Sequence, residues 1–291
     1  MSRSASPVVR RKVLAARLRR LRLAAGLTLE DAARALEFST ATMSRIENEQ
    51  RLPRVRDVRD LARLYGAGDD VAADLAELVE ASKEAGWWEK YSEIDDDYGS
   101  LIGHESAAVS IGEYRSSTIP GLLQAPAYIR AYLTDAINPQ RVNPFTPKDI
   151  SRRVEVAMQR QQILSSSSLQ SYSAFLDEAT VRRCVGGAAV MAEQLHHLVD
   201  LLDRIERVSI RLIPFDRGAH PGQPGGFCLL RLPEEEVSDV VYVDSLAGQL
   251  FLETTEDLTR HERVLARLQD IALTRDETRE ALLETARPTG G

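Results

Sequence analysis

Gly26-Leu27-Thr28-Leu29-Glu30-Asp31-Ala32-Ala33-Arg34-Ala35-Leu36-Glu37-Phe38-Ser39-Thr40-Ala41-Thr42-Met43-Ser44-Arg45-Ile46-Glu47-Asn48-Glu49 has the spacing of two short helices joined by a tight turn. Thr28 is placed to cap the first helix, and Asp31, three residues on, to close a capping box. Ala32 and Ala33 are small enough for the second helix to pass close by. Leu36 and Phe38 fill the corner under the turn, and Ser39 or Thr40 caps a second helix whose inward face carries Met43 and Ile46. The opposite face carries Thr40, Ala41, Ser44 and Arg45, the arrangement of a helix that lies in a nucleic-acid groove and meets base edges.

Charge points the same way. Residues 1–66 hold 15 Lys+Arg and 7 Asp+Glu, net +8, which leaves 22 of the 37 basic and 37 of the 44 acidic residues, net −15, for the remainder. A basic segment displaces counterions from phosphates, and an acidic remainder is repelled by the duplex. The 291 residues, 43% of them hydrophobic, suffice for a small domain and one of ordinary size. The expected organisation is a helix-turn-helix domain over 1–68, a connecting helix over 69–90 and a C-terminal domain over 91–291. No apolar run approaches the ~20 residues of a membrane span, and the N-terminus lacks the apolar core of a secretory signal, so a cytoplasmic location with no membrane partner is expected. Cys184 and Cys228 are too few for a disulfide framework and lack zinc-finger spacing.

Beyond the motif, Val58, Leu61, Ala62 and Tyr65 recur at helical spacing over 55–65, and 69–85 forms a further amphipathic helix that could pack on the bundle, connect domains or pair in a dimer. Helices dominate from 87 to about 166. Strands follow near 169–176, 207–213, 227–232, 239–244 and 248–252, with a helix at 188–203. Thr274 and Glu277 form a capping-box pattern ahead of a final helix. The fold class is α+β: an all-α bundle followed by a mixed α+β domain.

The N-terminal residues resemble the phage-repressor and xenobiotic-response-element class of helix-turn-helix domains over roughly 10–66. Ala25-Gly26-Leu27-Thr28, Ser44-Arg45-Ile46-Glu47-Asn48 and Arg51-Leu52-Pro53 stand in that family's order. The resemblance implies an ion pair between Arg22 and Glu47. Glu37 stands where the family's turn carries glycine, which puts a non-glycine residue at positive φ, and Leu29 where it carries glutamine.

Residues 87–283 resemble the domain that follows this helix-turn-helix in actinobacterial WhiJ-like regulators, some described as antitoxin-like. The matching pieces are Ile119-Pro120-Gly121-Leu122-Leu123-Gln124 with Tyr128, Arg160-Gln161, Asp177-Glu178, Gly186-Gly187 with Met191 and Gln194-Leu195, and Val241-Tyr242-Val243-Asp244. Ala157 and Asp244 depart from the family's arginine and glutamate. The resemblance implies a transcription regulator, often with a small protein partner, and no enzymatic activity.

The sequence assembles no catalytic, cofactor or metal constellation. His196 and His197, adjacent on a helix, point about 100° apart, and His196 with Asp200 has no third ligand. Asp177-Glu178 is better read as a helix N-terminus than as paired catalytic carboxylates. His220-Pro221-Gly222-Gln223-Pro224-Gly225-Gly226 lacks the Lys-Ser/Thr end of a phosphate loop and reads as a loop over a pocket or partner surface. The expected function is sequence-specific binding of double-stranded DNA. Arg45 is placed for bidentate guanine contact, Thr40, Ala41 and Ser44 for further base contact, and Thr28, Ser39, Thr42, Asn48, Arg51 and Arg54 for phosphates. So small a reading domain implies a homodimer on a pseudo-palindromic operator with half-sites ~34 Å apart. The C-terminal domain then binds a small protein partner or, alternatively, a small-molecule effector, with an enzyme fused to the DNA-binding domain as the distant third alternative.

Overall fold

Residues 6–135, 145–234, 236–245 and 248–287 are described by the structure, a computed structural model. The chain divides into two units, Met1–Lys90 with Leu232–Ser238, and Tyr91–Arg231 with Asp239–Gly291.

The first unit is helical: α1 (Pro7–Ala24), α2 (Leu29–Ala35), α3 (Thr40–Glu47), α4 (Val55–Leu64) and α5 (Asp69–Ala81). Its core joins Leu14 and Leu18 of α1, Ala32 and Ala33 of α2, Met43 and Ile46 of α3, Val58, Leu61 and Ala62 of α4, and Leu75 and Val79 of α5. Leu36 and Phe38 pack against it. Of the three roles open to the last helix, α5 takes the first and packs on the bundle; it ends at Ala81, earlier than its periodicity suggested. The Ser82 hydroxyl there donates to the Leu78 carbonyl at 2.6 Å.

The second unit is built on a six-stranded sheet of β1 (Ser110–Arg115), β2 (Ser171–Asp177), β3 (Val208–Ile213), β4 (Phe227–Arg231), β5 (Val240–Ser245) and β6 (Gly248–Leu252), in the order β3-β2-β1-β4-β5-β6. β1, β2 and β3 run parallel, whereas β4, β5 and β6 join antiparallel. Its helices are α6 (Asp96–Ala107), α7 (Pro126–Asp135), α8 (Pro147–Arg160), the short α9 (Glu178–Arg182), α10 (Ala188–Arg204), α11 (Thr255–Ile271) and α12 (Arg275–Thr285). The chain is therefore α+β overall.

The central strand β1 is the one element that sequence reading placed among helices. Its Ser-Ile-Gly-Glu-Tyr-Arg run has no clean apolar alternation because Glu113 occupies a buried position. That carboxylate is satisfied by Arg115 Nε at 2.9 Å and by the Tyr172 hydroxyl, which donates to it. On the opposite face Gly112 admits α11: a Cβ there would lie 2.9 Å from Leu265 Cδ1. Tyr114, Phe175, Phe227, Leu229, Val241 and Leu268 form the core on that side.

Among the residues that carried the C-terminal resemblance, Gln161 and Gln194 clamp the segment after β1 and Arg160 binds α6 before it. Gln161 Nε2 donates to the carbonyls of Gly121 (3.0 Å) and Gln124 (2.8 Å). The fully buried Gln194 accepts from Ala125 N at 2.6 Å and donates to the Leu123 carbonyl at 2.8 Å. Arg160 is bound bidentately by Glu105 and donates to the Tyr98 hydroxyl at 2.9 Å. Arg160 and Gln194 are buried but paired, the condition under which they define one arrangement of the chain without a desolvation penalty left uncompensated.

Candidate nucleic-acid interface

The α2-turn-α3 geometry starts with its caps. The Thr28 hydroxyl accepts from Asp31 N at 3.1 Å and donates to Asp31 Oδ2 at 2.6 Å, while the same carboxylate accepts from Thr28 N at 3.0 Å. These bonds to Thr28 hold the Asp31 carboxyl below its usual pKa. Glu37 ends the first helix at φ 56, the left-handed backbone its place in the turn requires. Ser39 Oγ then accepts from Thr42 N at 3.1 Å and caps α3.

Inward, Met43 is fully buried and Ile46 nearly so. The inner end of α3 is fixed by the buried Arg22, whose Nε and Nη2 donate to the two oxygens of Glu47 at 2.7 and 2.8 Å and whose Nη1 donates to the Leu27 carbonyl at 2.7 Å. This bidentate pair locks the angle at which α3 leaves α1 and reads nothing itself.

Outward, Thr40, Ala41 and Arg45 are exposed and Ser44 is partly so. Arg45 Nε donates to the Ala41 carbonyl at 3.2 Å, one turn back, which aligns the side chain along the helix. Among the described residues Arg45 makes no ion pair, and neither do Arg51 or Arg54, all exposed. Asn48 Nδ2 donates to Ser44 Oγ at 3.1 Å. Thr28 and Ser39 are exposed. Thr42 is buried and its hydroxyl is bonded to Ser39 Oγ at 3.0 Å, so it braces the cap. After α3 the chain reverses through Glu49 at φ 64, with Arg51 N donating to the Arg45 carbonyl at 3.1 Å. The structure adds Arg34 and Arg56, whose side chains are 80% and 90% exposed and make only distant pairs with Asp31 and Asp60.

Residues 13–75 match the family model of a helix-turn-helix domain, and residues 98–284, more than half of the chain, match that of a domain of unknown function (DUF5753). The chain belongs to the DUF5753 family. No curated protein and no solved structure matches the chain. Its helix-turn-helix marks it as a DNA-binding regulator.

Within the DUF5753 domain the tempting polar residues find structural employment. Asp177 caps α9, accepting from Ala179 N at 2.9 Å, and Glu178 pairs with Arg182 and accepts from Phe215 N at 2.8 Å. His220 Nε2 lies 3.4 Å from Asp177 Oδ2, and its ring meets Tyr114 edge-on. His196 is exposed, with Nδ1 at 2.7 Å from the Ala192 carbonyl, and Asp200 pairs with Arg204 at 3.0 Å. His197 is partly buried and its Nε2 has no hydrogen-bond partner among the described residues. Trp88 is buried. Cys184 is exposed and Cys228 buried, both reduced. Among the described residues no His, Cys, Asp and Glu cluster could hold a metal, and no helix is long and apolar enough to cross a membrane.

Proposed function

We propose that this regulator reads a specific, pseudo-palindromic operator as a homodimer, through α3 in the major groove in the manner of the phage-repressor class. The observation that carries the reading is the state of Arg45. It is exposed on a helix fixed at both ends, by the Ser39 cap and by the buried Arg22–Glu47 pair, and among the described residues no carboxylate pairs with its guanidinium. A guanidinium so presented offers the two parallel N–H groups that match guanine O6 and N7, a contact contributing about 1–3 kcal/mol of discrimination. Thr40, Ala41 and Ser44 add base contacts beside it. Thr28, Ser39, Asn48, Arg51 and Arg54 set the register on the phosphates.

The test is binding to operator and random duplex by fluorescence anisotropy. Arg45→Ala is expected to lose about 10- to 150-fold in operator affinity and little on random DNA. Equal loss on both, or no loss, defeats the base-reading role.

For the DUF5753 domain, the resemblance to antitoxin-like regulators supports binding of a small protein partner. A small-molecule effector is the second reading, and it has a specific observation in its favour: a cavity lined by both aromatic and ionisable side chains within this domain.

A further inference from the structure

The cavity has a volume of about 590 Å3, within the ~300–1,000 Å3 usual for small-molecule sites. Its floor is one end of the sheet. In the order β3-β2-β1-β4-β5-β6 the progression turns back between β1 and β4. In open α/β sheets the crevice outside the carboxyl end of a strand at such a point is where ligands bind. Arg115, the last residue of β1, and Gly226, just ahead of β4, both line the cavity. A Cβ at Gly226 would lie 3.4 Å from Arg115 Cδ, so the absent side chain leaves the arginine its room.

Three guanidiniums line the cavity, and they differ in what they have left to offer. Arg160 is filled, held at Nε and Nη2 by Glu105 and at Nη1 by Tyr98. Arg153 donates to the Glu93 carbonyl, its guanidinium carbon 4.4 Å from the centre of the Phe145 ring. The Arg115 side chain is only 18% exposed, and its Nε donates to Glu113 at 2.9 Å. A guanidinium carries five N–H donors. Nη1 and Nη2 of Arg115 make no hydrogen bond among the described residues, and Glu113 is itself shared with the Tyr172 hydroxyl. Ser116, Ser117 and Thr118 follow directly in the lining, and their hydroxyls make no hydrogen bond among the described residues. The lining carboxylates are placed differently: Asp95 and Asp244 are both exposed. Asp95 caps α6, accepting from Tyr98 N at 2.8 Å, and Asp244 is held by the Ser245 backbone. Desolvation raises the Asp244 carboxyl pKa and the nearby Arg115 opposes the rise, but the two form no ion pair among the described residues. Charges in contact with solvent are screened more than one set into the protein.

A largely buried guanidinium with its outer edge unfilled, free hydroxyls beside it and an apolar wall behind select a ligand that accepts hydrogen bonds and carries negative charge. We propose that this cavity binds an organic carboxylate, its two oxygens on the Nη edge of Arg115 beside the hydroxyls of Ser116 and Thr118, and its apolar body against Leu101, Ile119, Ile129 and Tyr132. The planar fork of arginine matches a carboxylate through two parallel N–H bonds. The proposal deepens the effector reading of this domain and rests on it only for a consequence at DNA.

The experiment is calorimetric titration and thermal unfolding of the full chain, without DNA, with matched probes: 3-phenylpropanoate (anion), 3-phenylpropanamide (neutral) and 3-phenylpropylamine (cation), beside inorganic phosphate. The carboxylate at about ten times its Kd is expected to raise Tm by about 3–6 °C, with little effect from the other three. Arg115→Lys keeps a positive partner for Glu113 but replaces the fork with a point charge, and is expected to weaken the carboxylate about tenfold. Asp244→Asn changes an exposed residue and removes a negative charge near Arg115, so it is expected to tighten the carboxylate about two- to fivefold. This second variant decides the matter even if Arg115→Lys does not fold. No binding of the carboxylate, equal or tighter binding of the amide, amine or phosphate, unchanged affinity in Arg115→Lys, or equal or weaker affinity in Asp244→Asn overturns the proposal. Operator titration with and without 3-phenylpropanoate then bears on the effector reading alone, because carboxylate binding is measured independently of DNA.

Discussion

Arg22 and Glu47 show how much one buried pair decides at the residue scale. Both side chains are under a tenth exposed, and each is the other's charge partner. Removing one leaves an uncompensated buried charge, so Arg22→Ala or Glu47→Ala is expected to cost on the order of 3 kcal/mol in chemical unfolding, whereas Arg45→Ala, on the exposed face, should leave the unfolding midpoint unchanged. Glu37 has the opposite sign. Held at φ 56 with no Cβ-tolerant alternative, it is strained, and Glu37→Gly is expected to stabilise by about 0.5–1 kcal/mol in the same measurement. A destabilising Glu37→Gly would mean the side chain contributes more than its backbone costs. The Arg22–Glu47 pair and the left-handed Glu37 were both expected, through the resemblance to the phage-repressor class rather than from local spacing. The left-handed Glu49 was not, because its turn is set by how the chain leaves α3 for the buried Pro53.

Elements depend on capping and on which face is buried. Ser39→Ala removes the acceptor for Thr42 N and the partner of the Thr42 hydroxyl, and is expected to cost about 1 kcal/mol and to weaken operator binding through a frayed α3. The α3 caps, the capping box of Thr274 with Glu277 and most strands could be read from local patterns, with ends within a few residues. β1 could not, because its buried Glu113 is compensated by Tyr172 on β2, a partner that only the folded sheet brings near. The cavity within this domain was invisible for the same reason: Arg115 on β1 and Tyr242 on β5, both in its lining, are distant in sequence and brought near by strand order. On α10, burial lowers the pKa of His197, with Asp200 and Glu193 opposing. Its folded value therefore lies below the unfolded one, ~6.5. The associated stability is present above that pH and is lost as pH falls through it toward the folded value. Urea midpoints at pH 7.5 and 5.5 are expected to fall further in the native chain than in His197→Gln; an equal fall in both would assign the pH response elsewhere.

For the whole molecule the distribution of charge matters more than its total. The net −7 joins a +8 segment that holds the helix-turn-helix to a −15 remainder. Binding driven by phosphate neutralisation weakens steeply with salt, so random-duplex affinity is expected to fall on going from 50 to 200 mM salt, and Arg51→Ala or Arg54→Ala to flatten the slope of log K against log salt by about 1 per contact removed. Affinity indifferent to salt would contradict the basic segment as the DNA-facing one. The most direct test of the central claim is selection of duplexes by the full chain from a random library, run beside Arg45→Ala. The account predicts an enriched sequence with two inverted half-sites about 10 base pairs apart, containing a guanine whose preference relaxes in the variant. No enriched sequence, or the same sequence enriched equally by both proteins, would contradict it.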